Sequence, residues 1–335
     1  MFKKLYEELK KNIKKNYKEL IIIIIFSLIA TIELPYVITK GGGIETLKDR
    51  IEIENAKNME GAFYASYVSE LKCNPITYLY AKLRGFKIEK VKNLLPDGET
   101  IEDDYKRNSI LFDKSLNDAI YLAYTKSFNN VNIIKEEKYI VYRSNKINSD
   151  LKIGDKIISI EGVEITNDAK LKESYKNKKA GDKISITVEY NNKIYERYAY
   201  LYEEDNNLLM GISLATLNIL KTDIDYKIKS YKGLGPSGGL MTSLYVYNML
   251  TEYDYTKGLK IAGTGTIDIY GNVGEIGGIT YKIKGAAEDN ANIFLCPAEN
   301  YDEALTTVLE NDLDIELVSV KTFDDALLYL YNYKK

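Results

Sequence analysis

The sequence contains no histidine and no tryptophan, and only two cysteines among 335 residues. The absence of histidine excludes every Ser-His-Asp or Cys-His mechanism and every zinc or iron site that needs imidazole ligands. Cys73 and Cys296 lie far apart and form no C-x-x-C pattern, so neither a thiolate metal site nor a disulfide framework is indicated. Two buried thiols are the simpler interpretation, and a single long-range disulfide is the alternative. We predict no metal and no cofactor.

The chain also lacks a cluster of charges of one sign. Acidic and basic residues are interleaved along its length, and the formal net charge is −3. Without a basic face, nucleic acid is not an expected partner. The apolar fraction of 45% and the length together predict a globular protein of two or three domains.

Seven lysines precede a long apolar run at the amino end. They lie within residues 1–19, and the sequence LIIIIIFSLIATI follows at 20–32. Because basic residues followed by an apolar segment form an insertion signal, and because the apolar character continues, residues 20–38 are predicted to be a transmembrane anchor. A cleaved signal peptide is the alternative, although no A-x-A-like cleavage site follows.

The positive-inside rule then orients this predicted anchor. Residues 1–19 are expected to be a cytoplasmic basic tail, and everything after residue 40 is expected to be extracytoplasmic. The predicted localisation is the cell membrane, crossed once, with the amino end in the cytoplasm.

Two stretches of the middle region have helical character. Aromatic and small residues between 50 and 80 predict strands that pass into a helix at about 75–83. Residues 107–126 repeat apolar or small side chains at helical spacing, which predicts a packed amphipathic helix. Its inward positions are Leu111, Ser115, Ala119 and Leu122 or Ala123, and its outward positions are Asp113, Lys114, Asn117 and Asp118.

The stretch LKIGDKIISIEGVEI at 151–165 combines a turn at Gly154 with strand-forming residues. A short helical stretch, DAKLKESYKN, follows, and then two strand-like runs, DKISITVEY and KIYERYAYL, joined at Asn191 and Asn192. This order and the pattern L-x-x-G-D-x-I-x-x-I-x-G resemble a PDZ domain, a module that commonly binds carboxyl-terminal peptides by strand addition. By that resemblance the segment EEKYIV, which ends at Val141, is expected to form the carboxylate loop, although it lacks the usual glycine.

The sequence KGLGPSGGL at 232–240 fits three functional patterns. Gly233, Gly235 and Gly238 match the dinucleotide pattern G-x-G-x-x-G, residues 235–239 match the nucleophile elbow G-x-S-x-G, and the glycine density suggests a phosphate loop. A phosphate loop requires Lys and then Ser or Thr after its last glycine, and neither is present here. The preceding segment DIDYKIKSY alternates apolar and polar residues, which argues against the buried parallel strand of a dinucleotide site.

The elbow requires a base other than histidine for Ser237. Pro236 begins the apolar stretch that follows, so Ser237 is expected at the head of a helix, where N–H groups and the helix dipole stabilise an oxyanion. Lys282 is the candidate base, because a glycine pair leads into a helix expected to begin near Thr280 or Tyr281. Burial and a first-turn position both lower the pKa of a lysine toward a neutral amine.

These motifs resemble those of Lon-type serine proteases, in particular the membrane-anchored, PDZ-containing Lon-like proteins of Gram-positive bacteria. GPSGGLMTSL resembles their nucleophile motif, and KGLKIAGTGTIDIYGNVGEIGGITYKIKGAAE resembles the segment that carries their catalytic lysine. The resemblance implies that Ser237 is the nucleophile, Lys282 the general base and Thr264 the residue that orients the lysine. Gly235 and Gly238 are supporting glycines, and Gly238 stands where the family usually has alanine.

The resemblance also implies a fold class and a domain organisation. An α/β (α+β) Lon-type protease domain is expected, and by the same resemblance FDKSLNDAIYLAY at 112–124 corresponds to the first long helix of that domain. The catalytic domain would then be assembled from residues 50–130 and 205–335, with a PDZ domain at 131–204 inserted into it. The alternative is a linear order in which the PDZ domain precedes the catalytic domain.

The predicted function is that of a membrane-anchored serine endopeptidase that cleaves extracytoplasmic proteins through a Ser237–Lys282 dyad. The printed sequence shows no ATPase module, so proteolysis is expected to be independent of ATP. Polypeptide substrates and the membrane are the expected partners, without nucleotide or nucleic acid, and a homo-oligomer is left open. The alternative is a non-catalytic, membrane-tethered PDZ scaffold with a protease-like fold.

Overall fold

The computed structural model describes residues 2–54, 56–145, 147–229 and 235–334. The chain divides into two compact units. The smaller unit comprises Met1–Lys40 and Ser69–Pro96, and the larger unit comprises Gly41–Val68 and Asp97–Lys335.

The described residues form the following helices: α1 (Phe2–Lys15), α2 (Tyr17–Ala30), α3 (Pro75–Arg84), α4 (Val91–Leu94), α5 (Ile101–Lys126), α6 (Asp168–Ser174), α7 (Gly239–Leu250), α8 (Ile279–Glu288), α9 (Tyr301–Glu310) and α10 (Phe323–Asn332). The strands in the first half of the chain are β1 (Leu34–Thr46), β2 (Ile51–Ile53), β3 (Ala62–Cys73), β4 (Lys87–Lys90), β5 (Val131–Arg143), β6 (Lys156–Ile160) and β7 (Val163–Glu164). The remaining strands are β8 (Lys183–Tyr190), β9 (Lys193–Tyr200), β10 (Tyr202–Glu204), β11 (Asn207–Leu209), β12 (Ile212–Thr222), β13 (Tyr226–Ile228), β14 (Lys260–Gly263), β15 (Thr266–Ile267), β16 (Val273–Gly274), β17 (Ile293–Pro297) and β18 (Glu316–Val320).

The apolar run at the amino end forms α2 in the smaller unit, and none of its residues is buried. This helix ends at Ala30, whereas residues 34–38, predicted to belong to a membrane span, are the first residues of strand β1. The helix cannot continue easily, because Pro35 disfavours helical geometry at Leu34. Over the ranges that the structure describes, no helix is both long enough and apolar enough to cross a membrane. The predicted transmembrane helix is therefore unconfirmed.

A capped helix and a small apolar core organise the rest of the smaller unit. Asn74 caps α3 through its side chain, which accepts from the backbone N–H groups of Ile76 and Thr77. The strand-to-helix transition predicted near residue 75 is confirmed. Cys73 is buried beside Ile38, and both Cys73 and Cys296 are free thiols, so the simpler of the two cysteine interpretations is correct.

A sheet with the strand order β18–β17–β14–β3–β1 forms the centre of the larger unit. The pairs β18–β17, β17–β14 and β14–β3 are parallel. Successive residues of a strand face opposite sides of a sheet. Accordingly, Ile293 and Leu295 of β17 pack into one core with α5, α7 and α10, while Phe294 and Cys296 pack into a second core with α8 and α9. Both faces are buried, as is typical of parallel strands.

A second sheet, with the order β12–β5–β6–β8–β9, encloses its own apolar core. The predicted hairpin is present as β8–β9, and Asn191 and Asn192 both adopt the positive φ values that a tight two-residue turn requires. The expectation that EEKYIV forms a carboxylate loop is wrong. Lys138 and Tyr139 lie in the middle of β5 and pair with β6 on one side and β12 on the other. Strand β12 lies at the edge of this sheet.

Helix α5 packs against α7 and against β12 of the second sheet. It begins at Ile101, earlier than the predicted 107, because Thr100 and Asp103 form a capping box. The predicted inward face is confirmed at Ser115 and Ala119, which are buried. Asp118 was predicted to face outward, but it is buried and pairs with Lys114. The ion pair satisfies this carboxylate, which explains how a charged residue is accommodated there.

Candidate active site

Ser237 lies in a tight turn at the start of α7. Gly235 precedes it with φ +95°, a conformation that only glycine adopts readily. Pro236–Gly238 form a single 3-10 turn, and α7 begins at Gly239. The structure therefore places Ser237 immediately before a helix, as predicted, where N–H groups and the dipole favour negative charge.

The two glycines after Ser237 differ in the space around them. A Cβ atom built on Gly238 would make ordinary contacts, the nearest being 3.8 Å from Ala65, so the alanine common in Lon-type proteases would fit here. A Cβ atom on Gly239 would instead collide with the Oγ atom of Ser115 and with the side chain of Ile267. Gly239 is therefore required by the close approach of α5 to the turn.

Lys282 is buried in the first turn of α8, with only 4% of its surface exposed. Its backbone N–H donates to the carbonyl of Gly278, and the helix begins at Ile279, close to the predicted start. Burial lowers the pKa of Lys282 from 10.5 to about 8. Within the described ranges no carboxylate forms an ion pair with its ammonium group, so the desolvation is not offset.

Thr264 connects Lys282 to the turn that carries Ser237. The Nζ atom of Lys282 donates to the Thr264 hydroxyl at 3.1 Å, and this hydroxyl donates to the carbonyl of Ser237 at 3.0 Å. The same carbonyl also accepts from the N–H of Gly265 at 2.8 Å. Thr264 is fully buried, so both hydrogen bonds are shielded from water. Thr264 thus links the amine of Lys282 to the backbone carbonyl of Ser237, the residue whose hydroxyl is the predicted nucleophile.

Ser237 and Lys282 line the same cavity, which has a volume of about 820 Å³. This volume is sufficient for several residues of an extended peptide. Part of its wall is apolar and is formed by side chains from α5 and β13, namely Leu111, Phe112, Leu116 and Ile228. Of the described residues, four charged ones also line it: Glu45, Arg50, Glu275 and Lys282.

Two residues of this cavity have no counterpart in the motifs found in the sequence. Ser115 on α5 donates its hydroxyl to the carbonyl of Pro236 at 2.8 Å and so fixes the turn before Ser237. Arg50 lies beside the same turn, near Gly238. Both come from parts of the chain that are distant in sequence, and for Ser115 the only signal was its inward position on the amphipathic helix.

The carboxylates near the lysine segment have ordinary structural surroundings. Asp268 accepts from the backbone N–H groups of Tyr270 and Asn272 and so holds a turn, while Glu275 is exposed at the cavity rim. Among the residues that the structure describes, no group of three or more acidic or thiol side chains is suited to hold a metal ion.

The dinucleotide pattern can be judged only in part, because Gly233 lies outside the described residues. The strand that precedes the glycines is β13, and it pairs antiparallel with β2. A dinucleotide site follows a buried parallel strand. The architecture before the turn therefore does not fit that site.

Two family models match parts of this chain. Residues 129–196 match the PDZ domain, and residues 230–331 match the Lon protease (S16) C-terminal proteolytic domain. A Lon proteolytic domain and a PDZ domain are thus found in one mixed α/β chain. The match to the Lon proteolytic domain supports a serine protease, and both matches fit the binding of peptides.

Comparison with known proteins gives similar results. Lon protease 2 of Bacillus subtilis (strain 168) is 30% identical over 117 residues, which cover 34% of this chain and 20% of that protein. The archaeal Lon protease of Methanothermobacter thermautotrophicus is 32% identical over 101 residues, which cover 30% of this chain and 15% of that protein. The chain therefore spans a fifth or less of the length of these relatives.

Among solved structures, the PDZ domain of an SdrC-like protein from Listeria monocytogenes is similar to part of this chain. The two are 21% identical, and the similarity covers 23% of this chain and 85% of that domain, with a TM-score of 0.21.

Proposed function

We propose that this protein is an ATP-independent serine endopeptidase in which Ser237 is the nucleophile and Lys282 the general base. The observation that carries the proposal is the burial of Lys282 without a carboxylate partner among the described residues, beside a serine turn in the same cavity. A pKa lowered to about 8 makes the neutral amine of Lys282 far more available near neutral pH than that of an ordinary exposed lysine. The similarity to the Lon proteolytic domain supports the same assignment.

The proposed reaction begins with a peptide bound in the cavity so that its scissile carbonyl carbon lies next to the Ser237 hydroxyl. Lys282 removes the hydroxyl proton as the oxygen attacks, and the N–H groups at the start of α7 stabilise the oxyanion. Lys282 then returns the proton to the leaving amine, and an acyl-enzyme remains. A water molecule, deprotonated by the same amine, hydrolyses the acyl-enzyme and regenerates the hydroxyl group.

Thr264 has a positioning role in this proposal. Its hydroxyl accepts from Lys282 and donates to the Ser237 carbonyl, which fixes the amine relative to the turn. Gly235 allows the turn to form, and Gly238 leaves space next to the nucleophile.

The test uses the full-length chain, purified in detergent and incubated with a proteome-derived peptide mixture. Mass spectrometry should identify new peptide ends with wild type and none with Ser237→Ala or Lys282→Ala. The matched controls are Ser319→Ala, at an exposed position of β18, and Lys284→Ala, two residues after the proposed base. Equal cleavage by wild type and Ser237→Ala would disprove the proposal.

The alternative function is a PDZ scaffold that binds peptides without cleaving them. The observation in its favour is that β12 is an edge strand of the second sheet, so a peptide can add to its outer side. Partly buried apolar residues of β12 and α6, namely Leu214 and Leu171, pack on the same core. A scaffold predicts peptide binding that survives Ser237→Ala and no new peptide ends with any variant.

We also propose that residues 50–130 and 205–335 form one catalytic domain into which the PDZ domain at 131–204 is inserted. In support, α5 packs against α7 and the Ser237 turn, and Ala62–Ala65 of β3 pair with Lys260–Gly263 of β14. Limited proteolysis that cuts near both ends of the inserted segment should leave the flanking fragments associated with each other. Separation of the fragments after the same cuts would instead support a linear order.

Finally, we propose that the amino end anchors the protein in a membrane, with the basic tail in the cytoplasm and the catalytic domain outside. The support is chemical: Ile21 to Ile25 of α2 are all about half exposed to solvent, and lysines precede them. In cells, wild type should sediment with membranes and be digested by an external protease. A variant carrying Ile23→Lys and Ile24→Lys should become soluble, and an unchanged distribution would contradict the anchor.

A further inference from the structure

Arg50 is a charged residue of the cavity wall whose role is not explained by the proposed reaction. It follows a 3-10 turn (Leu47–Asp49) and precedes β2, and its side chain is only 11% exposed. Its carbonyl accepts from the N–H of Lys229, so the backbone at this position is fixed. A guanidinium group is held here in the same cavity as Ser237.

Only some of the N–H donors of the guanidinium group form hydrogen bonds with described residues. Its Nε and Nη2 atoms both donate to the same Oε2 atom of Glu45, at 3.2 and 2.6 Å. The Nη1 atom points toward the nucleophile turn, since a Cβ atom built on Gly238 would lie 3.9 Å from it. Within the described part of the chain Nη1 donates to no acceptor. Because arginine carries five N–H donors, several remain for a ligand in the cavity.

The geometry of these donors suits a carboxylate. A planar guanidinium binds a planar carboxylate through two parallel hydrogen bonds, and such charge-assisted bonds are strengthened where water is partly excluded. The Glu45 side chain is 26% exposed, compared with 11% for that of Arg50. Glu45 accepts from Nε and Nη2 and does not engage the two N–H groups of Nη1. Its negative charge weakens the attraction for a second carboxylate but does not occupy the donors that face Gly238.

We infer that Arg50 forms a carboxylate subsite next to Ser237, so that the enzyme prefers peptides with a carboxylate close to the scissile bond. This inference rests on the proposed peptidase function and adds a substrate class to it. The carboxylate is supplied either by an Asp or Glu side chain or by the free carboxyl end of the peptide. Arg50 is thus a specificity-determining residue rather than a participant in proton transfer.

The experiment starts from peptides that the full-length wild type cleaves. Each is resynthesised with Asp or Asn at every one of the four positions on either side of the cleaved bond, and with a free or an amidated carboxyl end. The values of kcat/KM are measured for wild type, Arg50→Gln, Arg50→Lys and Glu45→Gln. The matched control is Lys48→Gln, which removes one positive charge from an exposed position two residues away.

At one or two positions, wild type should prefer Asp over Asn by about ten-fold, as expected for a partly buried charge-assisted hydrogen bond. Arg50→Gln should abolish the preference, Arg50→Lys should retain part of it, and Glu45→Gln should increase it. Lys48→Gln should leave it unchanged. Opposite effects of Arg50→Gln and Glu45→Gln distinguish ligand binding from a purely structural ion pair, which would respond in the same way to loss of either partner. If the free carboxyl end is the ligand, amidation and not the Asp substitution should produce the difference.

Equal rates for Asp and Asn peptides at every position and for both carboxyl ends would overturn the inference while leaving the peptidase function intact. A preference that persists in Arg50→Gln would also overturn it. If wild type cleaves no peptide, the peptidase proposal fails by itself.

The carboxylate subsite is then tested by the binding of labelled Asp and Asn decapeptides to Ser237→Ala, measured by fluorescence anisotropy. Equal affinity for the two peptides would reject the subsite. Should Arg50→Gln fail to fold, Arg50→Lys and Glu45→Gln still give opposite predicted shifts.

Discussion

Two buried lysines, one in each sheet region of the larger unit, are surrounded in opposite ways. Lys138 of β5 is 2% exposed and contacts two carboxylates, Glu136 at 3.4 Å and Asp168 at 2.6 Å, as well as the Thr216 hydroxyl. Lys282 of α8 is 4% exposed, and within the part of the chain that the structure describes its amine donates to one neutral hydroxyl, that of Thr264.

This difference shows what the partners of a buried lysine determine. Carboxylates compensate the charge of Lys138, and its side chain connects β5, β12 and α6. Lys282 lacks this compensation among the described residues, and burial lowers its pKa to about 8. A lysine that loses its proton so readily is suited to accept one from a nucleophile.

The largest expected effect is on catalysis in Lys282→Met. Removing the proposed base should lower kcat by about three orders of magnitude or more, by analogy with the loss of a catalytic base in serine proteases. The same change removes a buried ammonium, so the free energy of unfolding at pH 7 should rise by about 2 kcal/mol. Peptide cleavage assays and urea denaturation measure the two effects. A variant that is both inactive and less stable than wild type would favour a structural role for Lys282.

The second prediction concerns pH. Because Lys282 must be neutral to act as a base, kcat/KM should rise about ten-fold per pH unit up to about pH 8 and then level off. The free energy of unfolding should also rise with pH. The unfolded chain keeps this lysine protonated up to about 10.5 and the folded chain only to about 8, so the stability of wild type relative to Lys282→Met should increase between these values. A rate that is constant from pH 6 to 9 would exclude Lys282 as the base.

Thr264→Val should have a smaller effect on the same site. Valine keeps the approximate volume but cannot accept from Lys282 or donate to the Ser237 carbonyl, so kcat should fall by about ten-fold while KM changes little. Steady-state kinetics provide the measurement, and Thr306→Val, at an exposed position of α9, is the control. A change in KM alone would indicate that Thr264 acts on substrate binding instead.

The smallest effect on catalysis is expected at the other lysine. Lys138→Met should lower the free energy of unfolding by about 1–2 kcal/mol, because it breaks an ion-paired network whose carboxylates can still be hydrated. The value of kcat should stay within about two-fold of wild type. Urea denaturation and the peptide assay decide the point. If Lys138→Met abolished cleavage as Lys282→Met does, the contrast between the two lysines would have no functional meaning.

Sequence patterns correctly predicted those elements whose backbone conformation is set by residues close to one another in the chain. The double asparagine gave the hairpin between β8 and β9, and the helical spacing gave most of α5. The glycine pair before α8 placed Lys282 in a first turn. In each case the backbone geometry is specified within a few residues, so a single sequence contains enough information.

Features that depend on distant residues were missed or predicted wrongly. Arg50 and Ser115 join the Ser237 turn only through the tertiary fold, and no local motif marks them. Apolar character alone extended the predicted membrane span into β1, because hydropathy does not distinguish a helix from a buried strand after Pro35. The misplaced carboxylate loop has a similar cause: the pairing of β5 with β12 connects residues about 80 positions apart, as in Lys138 with Thr216.

The parallel pairing of Ala62–Ala65 with Lys260–Gly263 has a consequence for synthesis of the protein. At typical translation rates a ribosome needs roughly 10 to 40 s to make the residues that separate these strands. During this interval the first strand has no partner on that side, and the two proposed catalytic residues have not yet met. The incomplete polypeptide therefore has no assembled catalytic site and cannot cleave other proteins. Its unpaired strand makes it prone to aggregate, so production of this protein should depend on chaperones that shield such strands.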